Sequence, residues 1–433
     1  MQLERLTAED LVSLGGSAAV GRHLRSLVPS GASVEAEVRQ ITERVRAEGD
    51  AAVLELTRQL DTGGAQPLPL LVAAPELDEA IKRLPLELVA GLQVAIANVA
   101  EVAQAGSVGD QVVALPQGQR VTVREVPVAR AAVYVPGGRA PYPSTVVMGV
   151  VAARAAGVLD VAVCSPPRRD REIDAAILGT CRLCGVERVY RMGGAQAIAA
   201  LAFGTETVQR VDVVVGPGNL YVQEAKRLLS ATIGSEGYAG PSDLLVVLGA
   251  QAGAREVRLA ALDLLAQGEH GEGSIVVGVA CSARVGDELA STLQELARAA
   301  PRESGARFAL VEASDQHQAL AIANAFAPEH LQLIGAEVEA LAPRATAAGC
   351  VFVGAGSATA FGDYVAGSNH ILPTAGAARF GSGLSPHHFR RRVSEVQIDD
   401  QAAAKLAGAG VPIARAEGFE WHARSMEARM GDN

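Results

Sequence analysis

Four stretches of this 433-residue chain crowd imidazole, carboxylate and amide side chains together: AQGEHGEG over 266–273, APEHL over 327–331, GDYVAGSNH over 362–370 and AEGFEWH over 416–422. Gln267 and His270 are three apart at the end of a helical run, so their side chains share one face and together can hold a cation. Asp363 with His370, and Glu417 with His422, add carboxylate and imidazole pairs of the kind that bind divalent metals. None follows a standard zinc spacing, and each pair alone also suits a structural hydrogen bond. Adjacent Glu329 and His330, after Pro328 near a helix end, offer a general base and acid. Neighbours in a helix point in different directions, so a solvated Glu-His is the alternative.

Three junctions carry glycine where a strand ends: YVPGGRAPYPS (134–144), RMGGAQA (191–197) and VVGPGNLY (214–221). Helix N-termini at such turns can hold anions or ribose hydroxyls. The dinucleotide fingerprint G-x-G-x-x-G with a later acidic residue is missing, and so is G-x-x-x-x-G-K-[ST]. Spacing alone leaves nucleotide binding open.

The elements that must position these residues are read from periodicity. Residues 35–49 and 77–104 repeat apolar positions three and four apart, which predicts two amphipathic helices. From Ala131 onward short β-branched runs alternate with Ala-rich helical stretches, first through 131–135, 160–165, 188–192 and 211–215, then through 244–248, 274–280, 308–311 and 350–354. This is the signature of parallel sheets covered by helices. The expected fold is α/β, with two incomplete Rossmann-like parallel-sheet domains plus small N-terminal and C-terminal helical segments. Boundaries are placed at 1–28 for the N-terminal segment, 29–132 with 243–384 for the metal and catalytic domain, 133–242 for the nucleotide domain, and 385–433 for a tail with a terminal helix over roughly 415–430. That tail is too short to hold a core alone and must dock on its own body or on a second subunit.

The chain is 49% apolar with a formal charge of −10 and no block of like charge, which makes nucleic acid and anionic membrane poor partners. No signal peptide core is visible at the start, and no 18-residue apolar stretch escapes interruption, so a cytoplasmic protein is expected. Five scattered cysteines, an odd count, read as reduced thiols, and Cys181-x-x-Cys184 lacks the second pair a zinc ribbon needs.

Taken together, the motifs resemble histidinol dehydrogenase, and the resemblance runs from VRQITERVRAEGDAAVLELTRQLD (38–61) to AEGFEWHARS near the C-terminus. Its most specific pieces are YVPGGRAPYPS, GGAQAIAALAFGT, GPGNLYVQEAK, AGPSD, LLAQGEH, APEHL and GDYVAGSNHILPTAGAARF. That family oxidises L-histidinol to L-histidine through an enzyme-bound aldehyde, using two NAD and one zinc ion. The resemblance implies zinc ligands at Gln267, His270, Asp363 and His422. It makes His330 the base for the alcohol proton and Glu329 the residue that activates water on the aldehyde. It places Ser242, His370 and Glu417 against the substrate, with the metal ligands and the catalytic pair, and Tyr134, Gln196 and Asn219 against NAD. It also implies a homodimer in which residues such as Glu417 and His422 complete the partner's site. The chain departs from the family pattern at Gly271, at Asp243 and in GSEGYAGPS before it, which bears more on substrate than on chemistry. Two other readings stand beside it: a paralogous zinc and NAD dehydrogenase for another small alcohol such as an amino alcohol or sulfonated diol, and a metal-dependent hydrolase in which Glu329 activates water and no nucleotide binds.

Overall fold

The computed structural model describes residues 3–28, 33–106, 109–137, 140–237, 240–299 and 304–430. Val- and Leu-rich runs such as Asp243–Leu248 and Ile275–Ala280 are buried at every position, as parallel strands covered by helices on both faces must be. They belong to a six-stranded parallel sheet whose spatial order is Leu3–Leu6, Arg307–Glu312, Ile275–Ala280, Asp243–Leu248, His330–Ile334 and Cys350–Val353. Helices Ala254–Gly268 and Ala283–Ala299 cover one face, and Ala8–Leu14, Ser17–Ser26 and Gln316–Phe326 cover the other.

A second parallel sheet runs Arg188–Arg191, Asp160–Ser165, Arg130–Tyr134 and Val213–Val215. Small residues let helices sit close on it: a Cβ at Gly149 would lie 2.5 Å from a methyl of Val133. Each fully buried Val or Leu in these cores is worth roughly 1.5–3 kcal/mol relative to exposure. A third, antiparallel sheet joins Arg390–Gln397, Arg120–Pro127 and Gln111–Ala114. From it the chain passes to the C-terminal helices Asp400–Ala416 and Glu420–Glu427, which pack mainly on each other.

The α/β class and both parallel series agree with the sequence reading, and the differences have local causes. The helix expected over 35–49 is followed at once by another, Asp50–Leu60, after a break at Gly49 with φ of +58°. The run over 77–104 divides into Ala74–Lys82 and Leu86–Ala105 around Pro85, and the terminal helix divides at Gly418, φ +79°. Packing corrects the expected grouping of segments. Helices between 35 and 105 lie on the four-stranded sheet rather than with 243–384, and the first 28 residues are integral to the six-stranded sheet through edge strand Leu3–Leu6. No 18-residue window of helix Leu86–Ala105 is free of charge, since each includes Glu87 or Glu101. Leu86–Ala105 has the length and composition to cross a membrane, yet its Leu92, Ala95 and Val99 pack into the sheet core.

Candidate active site

Glu329 and His330 do not lie in a helix. They stand at the amino-terminal edge of strand His330–Ile334, beside Ser242 and Asp243 at the same edge of the neighbouring strand. Helix Gln316–Phe326 stops at Ala327, which takes a left-handed conformation (φ +53°), and the chain turns through Pro328 straight into the sheet. Consecutive strand residues face opposite ways, but at a strand entrance both side chains reach the same end of the sheet.

The two side chains are almost fully buried, with 6% and 3% exposure, and are held by named partners. Glu329 Oε2 accepts from the Ser242 hydroxyl and, at 3.0 Å, from the Asp243 N–H. Gln267 Nε2 donates to Ser242 Oγ at 2.5 Å. His330 Nδ1 lies 3.3 Å from the Asp243 carbonyl and 3.6 Å from Glu329 Oε2, while Nε2 faces Asp363 Oδ1 at 3.6 Å. His370 Nδ1 sits 2.8 Å from the Asp363 carbonyl and its Nε2 3.2 Å from Thr145 Oγ1, tying the site to the helix Pro143–Ala155 of the other sheet. Burial pushes the Glu329 carboxyl up to about 7. Burial also disfavours the His330 cation, but the Glu329 and Asp363 carboxylates outweigh it and raise the imidazole to about 9. Burial lowers His270, against the opposing pull of Asp363.

Among the described residues, no group of three or more His, Cys, Asp or Glu side chains is assembled to hold a metal. Gln267 reaches Ser242, and His270 and Asp363 lie close enough to shift each other's ionisation, so an amide, an imidazole and a carboxylate are available on this side of the sheet. This oxygen and nitrogen donor set, free of thiolate, suits zinc or a similar borderline ion and is short of one ligand. His422 and Glu417 are not brought to it. Both lie exposed on the tail, where the His422 ring rests 5.2 Å from that of Phe419.

Tyr134, Gln196 and Asn219 gather instead around the carboxyl end of the four-stranded sheet. The Tyr134 hydroxyl accepts from the Gly194 N–H at 3.2 Å, and Asn219 caps helix Leu220–Leu228 through the Val222 N–H. Gln196 is 1% exposed, yet among the described residues both polar atoms of its amide lack a partner. A buried amide left bare on both ends is costly unless a ligand engages it, which fits a nucleotide there. The adjoining turn is tight enough to exclude side chains: a Cβ at Gly216, φ +117°, would fall 2.0 Å from the Tyr134 carbonyl oxygen. Gly138 and Arg139 of the first glycine-rich turn lie outside the described residues.

Two residues of the centre had no role in the sequence reading. Asp243 accepts from the Glu329 N–H at 2.7 Å, and Arg25 donates to Asp243 at 2.6 Å. Asp243 was visible only as a departure from a pattern, and Arg25 lies 218 positions away in sequence with no motif around it.

Comparison with known proteins shows the family. A family model described as histidinol dehydrogenase matches residues 28–430. A histidinol dehydrogenase of Prochlorococcus marinus is 39% identical over 401 residues, 91% of this chain and 90% of the relative. Another, of Pseudomonas aeruginosa, is 39% identical over 423 residues, 95% of each chain. The crystal structure of histidinol dehydrogenase from Elizabethkingia anophelis superposes with a TM-score of 0.90 at 28% identity, covering 99% of this chain and 98% of that one. By sequence and by fold, this chain belongs to the histidinol dehydrogenase family.

Proposed function

We propose that this protein oxidises L-histidinol to L-histidine through L-histidinal, reducing two NAD and using one zinc ion held by Gln267, His270, Asp363 and the His422 of a second copy. The observation that carries this reading is the buried Glu329 and His330 pair, set beside Ser242 and Asp363 at one strand edge. When bound, zinc orients the substrate without changing redox state, and NAD takes the hydride of each oxidation. His330, in its neutral form, accepts the alcohol proton as the first hydride leaves. Glu329 then takes a proton from the water that adds to the aldehyde carbon, and the hydrate loses the second hydride. The anchored oxygen is Oε2; among the described residues Oε1 accepts no hydrogen bond and is the free atom for that proton. Ser242, His370 and Glu417 contribute to holding the substrate, the carboxylate of Glu417 suiting its cationic amine. The orphaned amide of Gln196, with Tyr134 and Asn219, supports an NAD site on the four-stranded sheet.

The homodimer belongs to the same reading. Phe419 and Trp421 flank the active-site residues of the tail and are 53% and 78% exposed, and helix Leu86–Ala105 presents Leu86, Val94 and Val102 outward. A second copy gives such apolar surface a partner. We place the enzyme in the cytoplasm. Family membership speaks for dehydrogenation over a metal-dependent hydrolase. The test is NADH formation with L-histidinol run beside small amino alcohols and a sulfonated diol. Turnover of histidinol supports the proposal; silence with histidinol and turnover of another alcohol moves the enzyme to a paralogous reaction.

A further inference from the structure

We propose that Arg25 and Asp243 form a positioning unit that holds Glu329 at the angle needed to activate water, so that the first 28 residues tune the second oxidation. The inference rests on the reading of Glu329 as that activating residue. Arg25, in helix Ser17–Ser26, is less than a quarter exposed and Asp243 is buried. The guanidinium lies 3.6 Å over the ring of Phe326. Its Nε and Nη2 donate to the Phe326 carbonyl at 2.9 and 2.8 Å, Nη2 also reaches the Ala327 carbonyl at 2.8 Å, and Nη1 meets Asp243 Oδ2 at 2.6 Å. One planar cation thus plugs the last carbonyls of helix Gln316–Phe326 and charges the carboxylate that clasps the Glu329 backbone.

The turn between these anchors has little room to relax. Ala327 holds a positive φ, and behind Glu329 a Cβ at Gly349 would approach the Glu329 carbonyl oxygen to 2.6 Å. The Glu329 carboxylate is in turn bound by the Asp243 N–H, so moving Asp243 moves both ends of Glu329. Only a fork with several donors can satisfy two carbonyls and a carboxylate at once; a lysine keeps the charge and loses that geometry.

The experiment measures oxidation of L-histidinol and of L-histidinal separately, with zinc and NAD saturating, in Arg25→Lys, Arg25→Met, Asp243→Asn and Glu329→Gln, each with its melting temperature. The expected result is that Arg25→Lys and Asp243→Asn lose about 10- to 100-fold in the rate of the aldehyde step, and lose it at least about tenfold more than in the alcohol step. A merely structural role lowers both steps in parallel with the folded fraction, and that result, or no loss in either step, overturns the inference. If Arg25→Met does not fold, Arg25→Lys carries the test alone. Glu329→Gln separates the two levels: no split between steps there removes the reading of Glu329 and the inference with it, whereas a split there without one at Arg25 removes the inference only.

Discussion

Asp243 and Glu329 clasp each other across two neighbouring strands: the Glu329 N–H donates to the Asp243 carboxylate at 2.7 Å, and the Asp243 N–H donates to the Glu329 carboxylate at 3.0 Å. Each acid satisfies the backbone N–H of the other at a strand entrance, where ladder partners run out. The clasp stations Glu329 in a dry site beside His330, and burial raises its carboxyl to about 7, within reach of proton exchange near neutrality. It also puts the Glu329 and His330 pair at the amino end of the six-stranded sheet, opposite to the usual ligand position in open α/β folds.

Glu329→Gln keeps the shape and most hydrogen bonds of the site but cannot take a proton from water. We expect it to retain the alcohol oxidation and to lose about 100-fold or more in aldehyde oxidation. Stopped-flow measurement of each half-reaction checks this; equal losses in both would remove the assigned role.

The fold class and the alternation of strands and helices were legible in the sequence, because buried runs have a clear period; the meeting of Ser242, Gln267, Glu329, His330, Asp363 and His370 was expected from the family resemblance, since each local polar cluster alone suited a structural contact equally well. The remainder depends on contacts that periodicity does not encode. Strand His330–Ile334 was hidden because Pro328 and Glu329 lead into it and the polar His330 and Gln332 break its apolar run. Strands Gln111–Ala114 and Arg390–Gln397 are largely exposed and carry little hydrophobic pattern. An amphipathic stripe on 35–48 says that a helix packs, not on which sheet, and the bond from Arg25 to Asp243 spans 218 residues.

Gln196→Leu tests the nucleotide site. Among the described residues the native amide makes no hydrogen bond, so the substitution leaves none of their polar groups unpaired and folding stability should hold or rise slightly. The KM for NAD should rise by about tenfold, as expected for one lost ligand hydrogen bond. A lowered melting temperature with an unchanged KM would show the amide to be structural.

Asp61 offers a pH test far along the chain from Glu329 and His330. Burial raises its carboxyl to about 7, and among the described residues Oδ2 has no hydrogen-bond partner. Because the folded value lies above the unfolded one, the stabilisation from its protonated form is complete below about pH 4 and is lost as pH rises through about 7. Asp61→Asn removes this loss, so its stability, followed by melting temperature at each pH, should overtake that of the native chain as pH climbs from 4 to 8, by up to about 4 kcal/mol. A difference that does not change with pH would contradict the shift.

The tail can be tested by mixing subunits. His422→Ala should fail to retain zinc, and Glu329→Gln should fail to finish the reaction. If each tail serves the partner's site, a mixed dimer holds one site with both native residues, and random exchange restores about a quarter of native activity. Mixing that restores nothing, while dimers form, would mean that His422 serves its own chain.

The proposed reaction is a four-electron oxidation at one zinc-dependent site. The measurement that tests it most directly is the amount of NADH formed when a limiting quantity of L-histidinol is exhausted by zinc-loaded protein, before and after chelation. The account predicts two NADH per histidinol with histidine as the product, loss of activity on chelation and recovery with zinc. One NADH per histidinol with free aldehyde, or turnover indifferent to chelation, would contradict it.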